Sequence, residues 1–119
     1  MSSDKRERAE QRGREGEAEA AMFLAAQGWQ ILAERVKTKA GEIDLIARKG
    51  ALVAFVEVKW RARGADLDYA IDEYRLRRVA AAAEAVAHNY AAPQDDLRID
   101  VILLAPGRKP THIENAYQP

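Results

Sequence analysis

Gly41-Glu42-Ile43-Asp44-Leu45-Ile46, followed by Phe55-Val56-Glu57-Val58-Lys59, carries more information than any other part of this chain. Both stretches read as hydrophobic strands. Glu42 to Ala47 alternates, Leu52 to Trp60 is nearly continuous in apolar residues, and Arg48-Lys49-Gly50-Ala51 supplies the turn between them. Each strand nevertheless holds ionisable side chains. Charged groups seldom sit among Val, Ile and Phe unless they are paired or bind a metal.

A two-residue turn at Lys49 and Gly50 predicts Arg48 opposite Ala51, Asp44 opposite Phe55 and Glu42 opposite Glu57. One face then carries Glu42, Asp44, Ile46, Val53, Phe55, Glu57 and Lys59. In that register Asp44 and Glu57 are diagonal neighbours, roughly 7–8 Å apart at the backbone, and both carboxylates reach one cation. A four-residue loop keeps this parity, whereas a three-residue loop puts Asp44 on the opposite face from Glu57.

Two acids and a lysine so placed suit a metal-dependent phosphodiesterase. Asp44 and Glu57 are the expected ligands, with the Val58 carbonyl and Glu42 as further oxygen donors. Lys59 is expected to orient or deprotonate the attacking water, or to neutralise charge developing on the phosphate. Glu17 lies one helical turn before Ala20 and Ala21, beside Gly16, and is the candidate to complete the acidic pocket through a metal-bound water.

Composition narrows the chemistry. The chain has no cysteine, which removes disulfides, thiol nucleophiles and cysteine-ligated metal. Only His88 and His112 supply imidazoles, so a multi-histidine zinc site is also excluded. Oxygen donors remain, and these point to Mg²⁺ or Mn²⁺. The 19 basic and 19 acidic residues cancel, so attraction to a nucleic acid has to come from local patches.

The 119 residues suffice for a single core of a sheet and two or three helices. Residues 1–13 are expected as a flexible polar tail, frayed or partly helical, and residues 14–119 as one domain. The first residues lack an apolar core of signal-peptide type and no apolar run reaches membrane-spanning length, so a soluble cytoplasmic protein without membrane contact is expected. Helical spacing over Arg14 to Gln27 ends at Gly28, and a strand is expected from Trp29 to Val36. After a loop at Gly64 to Asp68, the stripe Leu76, Val79, Ala80, Ala83, Val86 and Tyr90 predicts a second helix, stopped by Pro93. Ile99 to Leu104 is a further buried strand, and a short extended piece follows at His112 to Glu114. The order α-β-β-β-α-β predicts an α/β fold, a mixed sheet flanked by helices.

Gly41-Glu42-Ile43-Asp44-Leu45-Ile46-Ala47 with Phe55-Val56-Glu57-Val58-Lys59 resembles the bacterial YraN family of small proteins. Gly13, Gly16-Glu17 and Ala20 extend the resemblance towards the start, and Arg98-Ile99-Asp100-Val101 and His112-Ile113-Glu114-Asn115-Ala116 towards the end. That family is similar in pattern to the PD-(D/E)XK nucleases, which include archaeal Holliday-junction resolvases and restriction endonucleases. The resemblance implies a restriction-endonuclease-like core and divalent-metal-dependent cleavage of DNA. Asp44 matches the motif's aspartate, Glu57-Val58-Lys59 its E-X-K element, and Glu17 the helix acid of such cores. Three positions depart from the family pattern: Arg35 stands where Asn is usual, Ala40 where Gly is usual and Tyr74 where a second lysine is common.

Each candidate also has a plainer reading. Glu57 and Lys59 form a surface pair of small worth if their face is exposed, although Val53 and Phe55 on that face argue against exposure. Glu42 is alternatively a strand-end acid paired with a lysine, and Glu17 a complement to the helix dipole. Arg61, Arg63, Arg75 and Arg78 are expected to contact the phosphates of a DNA partner. The alternative is a solvated face, with Asp66, Asp68, Asp72 and Glu73 opposing them. Asp100 is expected to have a structural partner, and Trp29 and Trp60 to pack in the core. At the level of function, a nuclease cutting both strands implies two sites and a homodimer. The competing class is a nucleic-acid-binding or adaptor module that keeps the fold without efficient turnover, motivated by the zero net charge and by Tyr74.

Overall fold

The computed structural model describes the backbone of residues 2–60 and 72–118, and side chains from residue 13 onwards. Helix α1 (Ser2–Ala26) leads into strands β1 (Gln30–Lys37), β2 (Glu42–Lys49) and β3 (Leu52–Trp60). Helix α2 (Glu73–Tyr90), β4 (Asp96–Leu104) and β5 (Thr111–Ile113) complete the chain. The expected order α-β-β-β-α-β is present, with β5 as the short final piece. The five strands form one sheet in the order β1-β2-β3-β4-β5. β3 and β4 pair in parallel and the other pairs are antiparallel, so the sheet is mixed, as in a restriction-endonuclease-like core. α2 lies within the crossover that a parallel pair requires.

Helix α1 is longer than the periodic residues from Arg14 announced, since it is already helical at Ser2. It ends in a Schellman motif: Gly28 takes φ +95°, its N–H donates to Ala25, and the Trp29 N–H reaches back to Leu24. Leu24 and Trp29 then pack together with Ala20 against Leu45, Ala47, Ala54, Val56, Ile102 and Leu104. Those residues cover one face of the sheet. On the other face, Val79, Ala82 and Ala83 of α2 bury Ile46, Val53 and Phe55, while Leu76 meets Val101 and Leu103. β3, covered on both faces, is apolar at nearly every position for that reason.

The hairpin register differs from the expected one by two residues. Lys49 pairs with Leu52, so the two-residue loop is Gly50-Ala51 rather than Lys49-Gly50. Gly50 adopts φ +62°, a conformation that the first loop position of a tight hairpin demands and that glycine adopts without strain. Arg48 therefore faces Val53 and Ile46 faces Phe55, not Ala51 and Asp44 respectively. A shift of two preserves side-chain parity along the paired stretch from Leu45 to Lys49. The paired ladder ends at Leu45–Val56, so Asp44 and Glu57 lie just beyond its last pair on their two strands.

Asp100 is fully buried and has the structural role expected of it. Arg98 grips both carboxylate oxygens (2.8 and 2.9 Å), His112 Nε2 lies 2.8 Å from Oδ2, and the Asn115 N–H donates to Oδ1 at 2.9 Å. These contacts fasten β5 and the turn after it to β4. Among the described residues, no helix is long and apolar enough to cross a membrane.

Candidate metal centre and active site

The β2–β3 ladder sets up the site. Leu45 and Ala47 point into the α1-side core and Ile46 into the α2-side core, yet Ile43 also joins the α2 side. Strict alternation therefore breaks at Asp44. On the neighbouring strand, Glu34 pairs with Leu45 and Val36 with Ile43, and Arg35 between them has φ 55°. Asn tolerates this left-handed conformation better than most residues, and here Arg adopts it.

At this irregularity Asp44 Oδ2 accepts the Val58 N–H at 2.8 Å, tying one carboxylate to the backbone beside the other. Glu57 is 1% exposed and Asp44 7%. Burial, then the adjacent charge of Asp44, pushes Glu57 up to about 7, against the pull of Arg75 and Lys59. Burial raises Asp44 as well, opposed first by its Val58 hydrogen bond.

Two cations approach Glu57 Oε2: Arg75 Nε at 2.8 Å and Lys59 Nζ at 3.9 Å. Glu57 Oε1 is buried and meets no hydrogen-bond partner among the described residues. Lys59 thus stands beside the acid pair, on the face expected for it. Glu17, 9% exposed on α1, is held by Arg35 Nε at 3.2 Å, and burial followed by the charge of Asp44 raises its pKa. Gly16 lets α1 come this close: a Cβ there would lie 2.3 Å from Trp60 Nε1.

Glu42 is half-buried on the rim of a polar cavity of about 370 Å³, shared with Asp72, Tyr74, Arg75, Arg78 and Val79. Its charge raises the pKa of Asp44 and of Glu17, so it belongs to the same negative region. Among the described residues, no three His, Cys, Asp or Glu side chains converge on one ion-sized point. What the fold assembles is a pair, Asp44 with Glu57, bordered by Glu17 and Glu42. Val58 takes part through its N–H.

The expected phosphate-contacting arginines divide. Arg78 is exposed on the cavity rim, Arg75 is turned inward onto Glu57, and Arg61 and Arg63 lie outside the described residues. Arg75 and Arg35 are the site residues whose contacts the sequence did not announce. Only the Asp72 N-cap, which accepts the Tyr74 and Arg75 N–H groups and starts the helix three residues before Arg75, hinted at the former.

The donor set fits a divalent cation. Two carboxylates from adjoining strands, one with a buried oxygen unpartnered among the described residues, suit an ion that keeps several waters and takes few protein ligands.

Residues 16–104 match the model of the family described as Uncharacterised protein family UPF0102. This chain belongs to the UPF0102 family. It is 68% identical over 115 residues to a UPF0102 protein of Erythrobacter litoralis, covering 97% of this chain and 99% of that one. A UPF0102 protein of Sphingopyxis alaskensis is 59% identical over 111 residues, 93% of this chain and 96% of that one. One from Rhizorhabdus wittichii is 54% identical over 114 residues, 96% and 97% of the two chains. The family-matched segment begins at Gly16, where α1 meets Trp60, and contains Glu17, Asp44, Glu57, Lys59 and Arg75. The YraN resemblance read from the sequence and this UPF0102 membership agree.

Proposed function

We propose that this UPF0102 protein is a divalent-metal-dependent DNA endonuclease that hydrolyses phosphodiesters in branched, Holliday-junction-like DNA. The observation that carries the reading is the buried Asp44–Glu57 pair, with Glu57 Oε1 unpartnered among the described residues and Lys59 Nζ 3.9 Å from the other oxygen. Burying two acids side by side is costly without a cation, and the raised pKa of both expresses that cost. Asp44 and Glu57 would hold Mg²⁺ or Mn²⁺, with the Val58 carbonyl and Glu42 as further oxygen donors. The bound ion would neutralise phosphate charge and lower the pKa of a coordinated water.

The chain's own groups divide the remaining work. Lys59 orients the attacking water and offsets charge developing on the phosphate oxygens. Glu17, within electrostatic reach of Asp44, orders water at the α1 side of the pair. Arg78, with Arg61 and Arg63, contacts flanking phosphates. Cutting both strands of a junction calls for two such sites, and hence a homodimer.

A second reading keeps the fold as a nucleic-acid-binding or adaptor module with weak or no turnover. It is favoured by the Arg75–Glu57 ion pair, which already neutralises one of the acids. Purified protein incubated with a synthetic four-way junction and MgCl₂ separates the two. Cleavage that disappears in Asp44→Asn and in Lys59→Ala supports the endonuclease; junction binding without metal-dependent cleavage supports the adaptor.

A further inference from the structure

We infer that Arg75 is the resident counter-ion of the acid pair, holding the place of a divalent cation until one displaces it. The inference rests on the metal-binding reading of Asp44 and Glu57 and adds a step to it. Arg75 Nε and Lys59 Nζ both approach Glu57 Oε2, at 2.8 and 3.9 Å, while Oε1 stays buried without a hydrogen-bond partner among the described residues. The Arg75 charge also acts on Asp44, so one guanidinium serves both carboxylates. A divalent ion held by Asp44 and Glu57 would serve them with twice the charge.

Both cations cannot keep those places. An ion ligated by Glu57 would stand within a few ångströms of the guanidinium, where like charges repel strongly in a buried setting. Arg75 is built to leave. Its side chain is 51% exposed, against 23% for Lys59, and it sits on the first turn of α2. The polar cavity of about 370 Å³ beside it carries Asp72, an acid able to receive the guanidinium, next to Arg78. An arginine that the sequence marks as a phosphate contact therefore becomes free for phosphate only when metal has taken its position. Metal loading and substrate engagement are coupled through one side chain.

NMR of the arginine Nε–H groups in the intact protein follows this directly during a MgCl₂ titration. The Arg75 signal, protected by Glu57, should shift or exchange with solvent in step with metal uptake measured by calorimetry. Arg75→Lys and Arg75→Ala should bind Mn²⁺ progressively more tightly, the alanine variant about tenfold more than wild type. Metal uptake that leaves the Arg75 signal unmoved, or an alanine variant binding no tighter than wild type, overturns the inference. Should the alanine variant fail to fold, the wild-type titration decides alone. Uptake that persists unchanged in Asp44→Asn places the ion elsewhere and overturns the underlying site reading as well.

Discussion

Asp44 reaches across the β2–β3 hairpin to accept the Val58 N–H at 2.8 Å, immediately beside Glu57. An Asn at position 44 retains an oxygen for that bond but removes the charge that helps raise Glu57. Asp44→Asn should therefore fold normally and lower the Glu57 pKa from about 7. Carboxyl-carbon NMR titration of the metal-free variant checks this, and an unchanged Glu57 midpoint would show that the two acids are not coupled. Cleavage should fall by at least about a hundredfold, as for loss of a transition-state charge contact.

Glu57 makes stability depend on pH in a defined direction. Its folded pKa, about 7, lies above the ordinary 4.5, so the folded state binds the proton more tightly. The stabilisation is complete below the unfolded value and is lost as pH rises through about 7. Metal-free wild type should thus lose unfolding free energy between about pH 5 and pH 8 relative to Glu57→Gln. Urea denaturation at several pH values tests it; parallel curves for the two proteins would contradict the assignment. Added Mg²⁺ should restore more stability at the alkaline end, where the acid is ionised without competition from a proton.

Gly16 is a close-approach position. A Cβ placed 2.3 Å from Trp60 Nε1 and 3.3 Å from Leu104 Cδ1 must push α1 off the sheet. Gly16→Ala should cost about 1–3 kcal/mol by overpacking and also weaken metal uptake, since α1 carries Glu17. Trp60→Phe in the same chain should recover part of the loss in a thermal melt. No recovery would place the strain elsewhere.

Asp100 holds a separate polar cluster, and its loss should be structural only. Asp100→Ala leaves Arg98 without its buried bidentate partner and frees His112 and the Asn115 N–H. A cost of about 3–5 kcal/mol is expected from breaking such a buried pair. Mn²⁺ affinity of the folded fraction should stay within about twofold of wild type. A large affinity change would mean that the two clusters communicate.

These four positions also mark what could be read from the sequence. The strands were legible because Glu42 to Ala47 alternates and Leu52 to Trp60 is apolar throughout, and the second helix because its stripe repeats every three or four residues. That Glu57 and Lys59 share a face followed from parity alone, which survives a register shift of two. The register itself did not follow, since both Lys49-Gly50 and Gly50-Ala51 place Gly50 in a two-residue loop. Only the backbone reveals that Gly50 takes the first loop position. Arg75 was legible as a basic residue, but its partner lies across the β3–α2 connection, and long-range ion pairs leave no periodic trace. The break in alternation at Asp44 was equally silent, because it depends on the left-handed Arg35 of another strand.

The parallel pairing of β3 with β4 bears on how the protein is made. β2 and β3 close over a two-residue turn, whereas the β3–β4 ladder, from Leu52–Asp96 to Trp60–Leu104, joins segments far apart in the chain. Local closure is fast and distant closure slow, so the hairpin is expected to assemble ahead of the crossover. Asp44 and Glu57 would then meet in water and be dehydrated only as α2 docks. Early, hydrated encounter of the two acids gives a nascent chain its easiest moment to capture an ion.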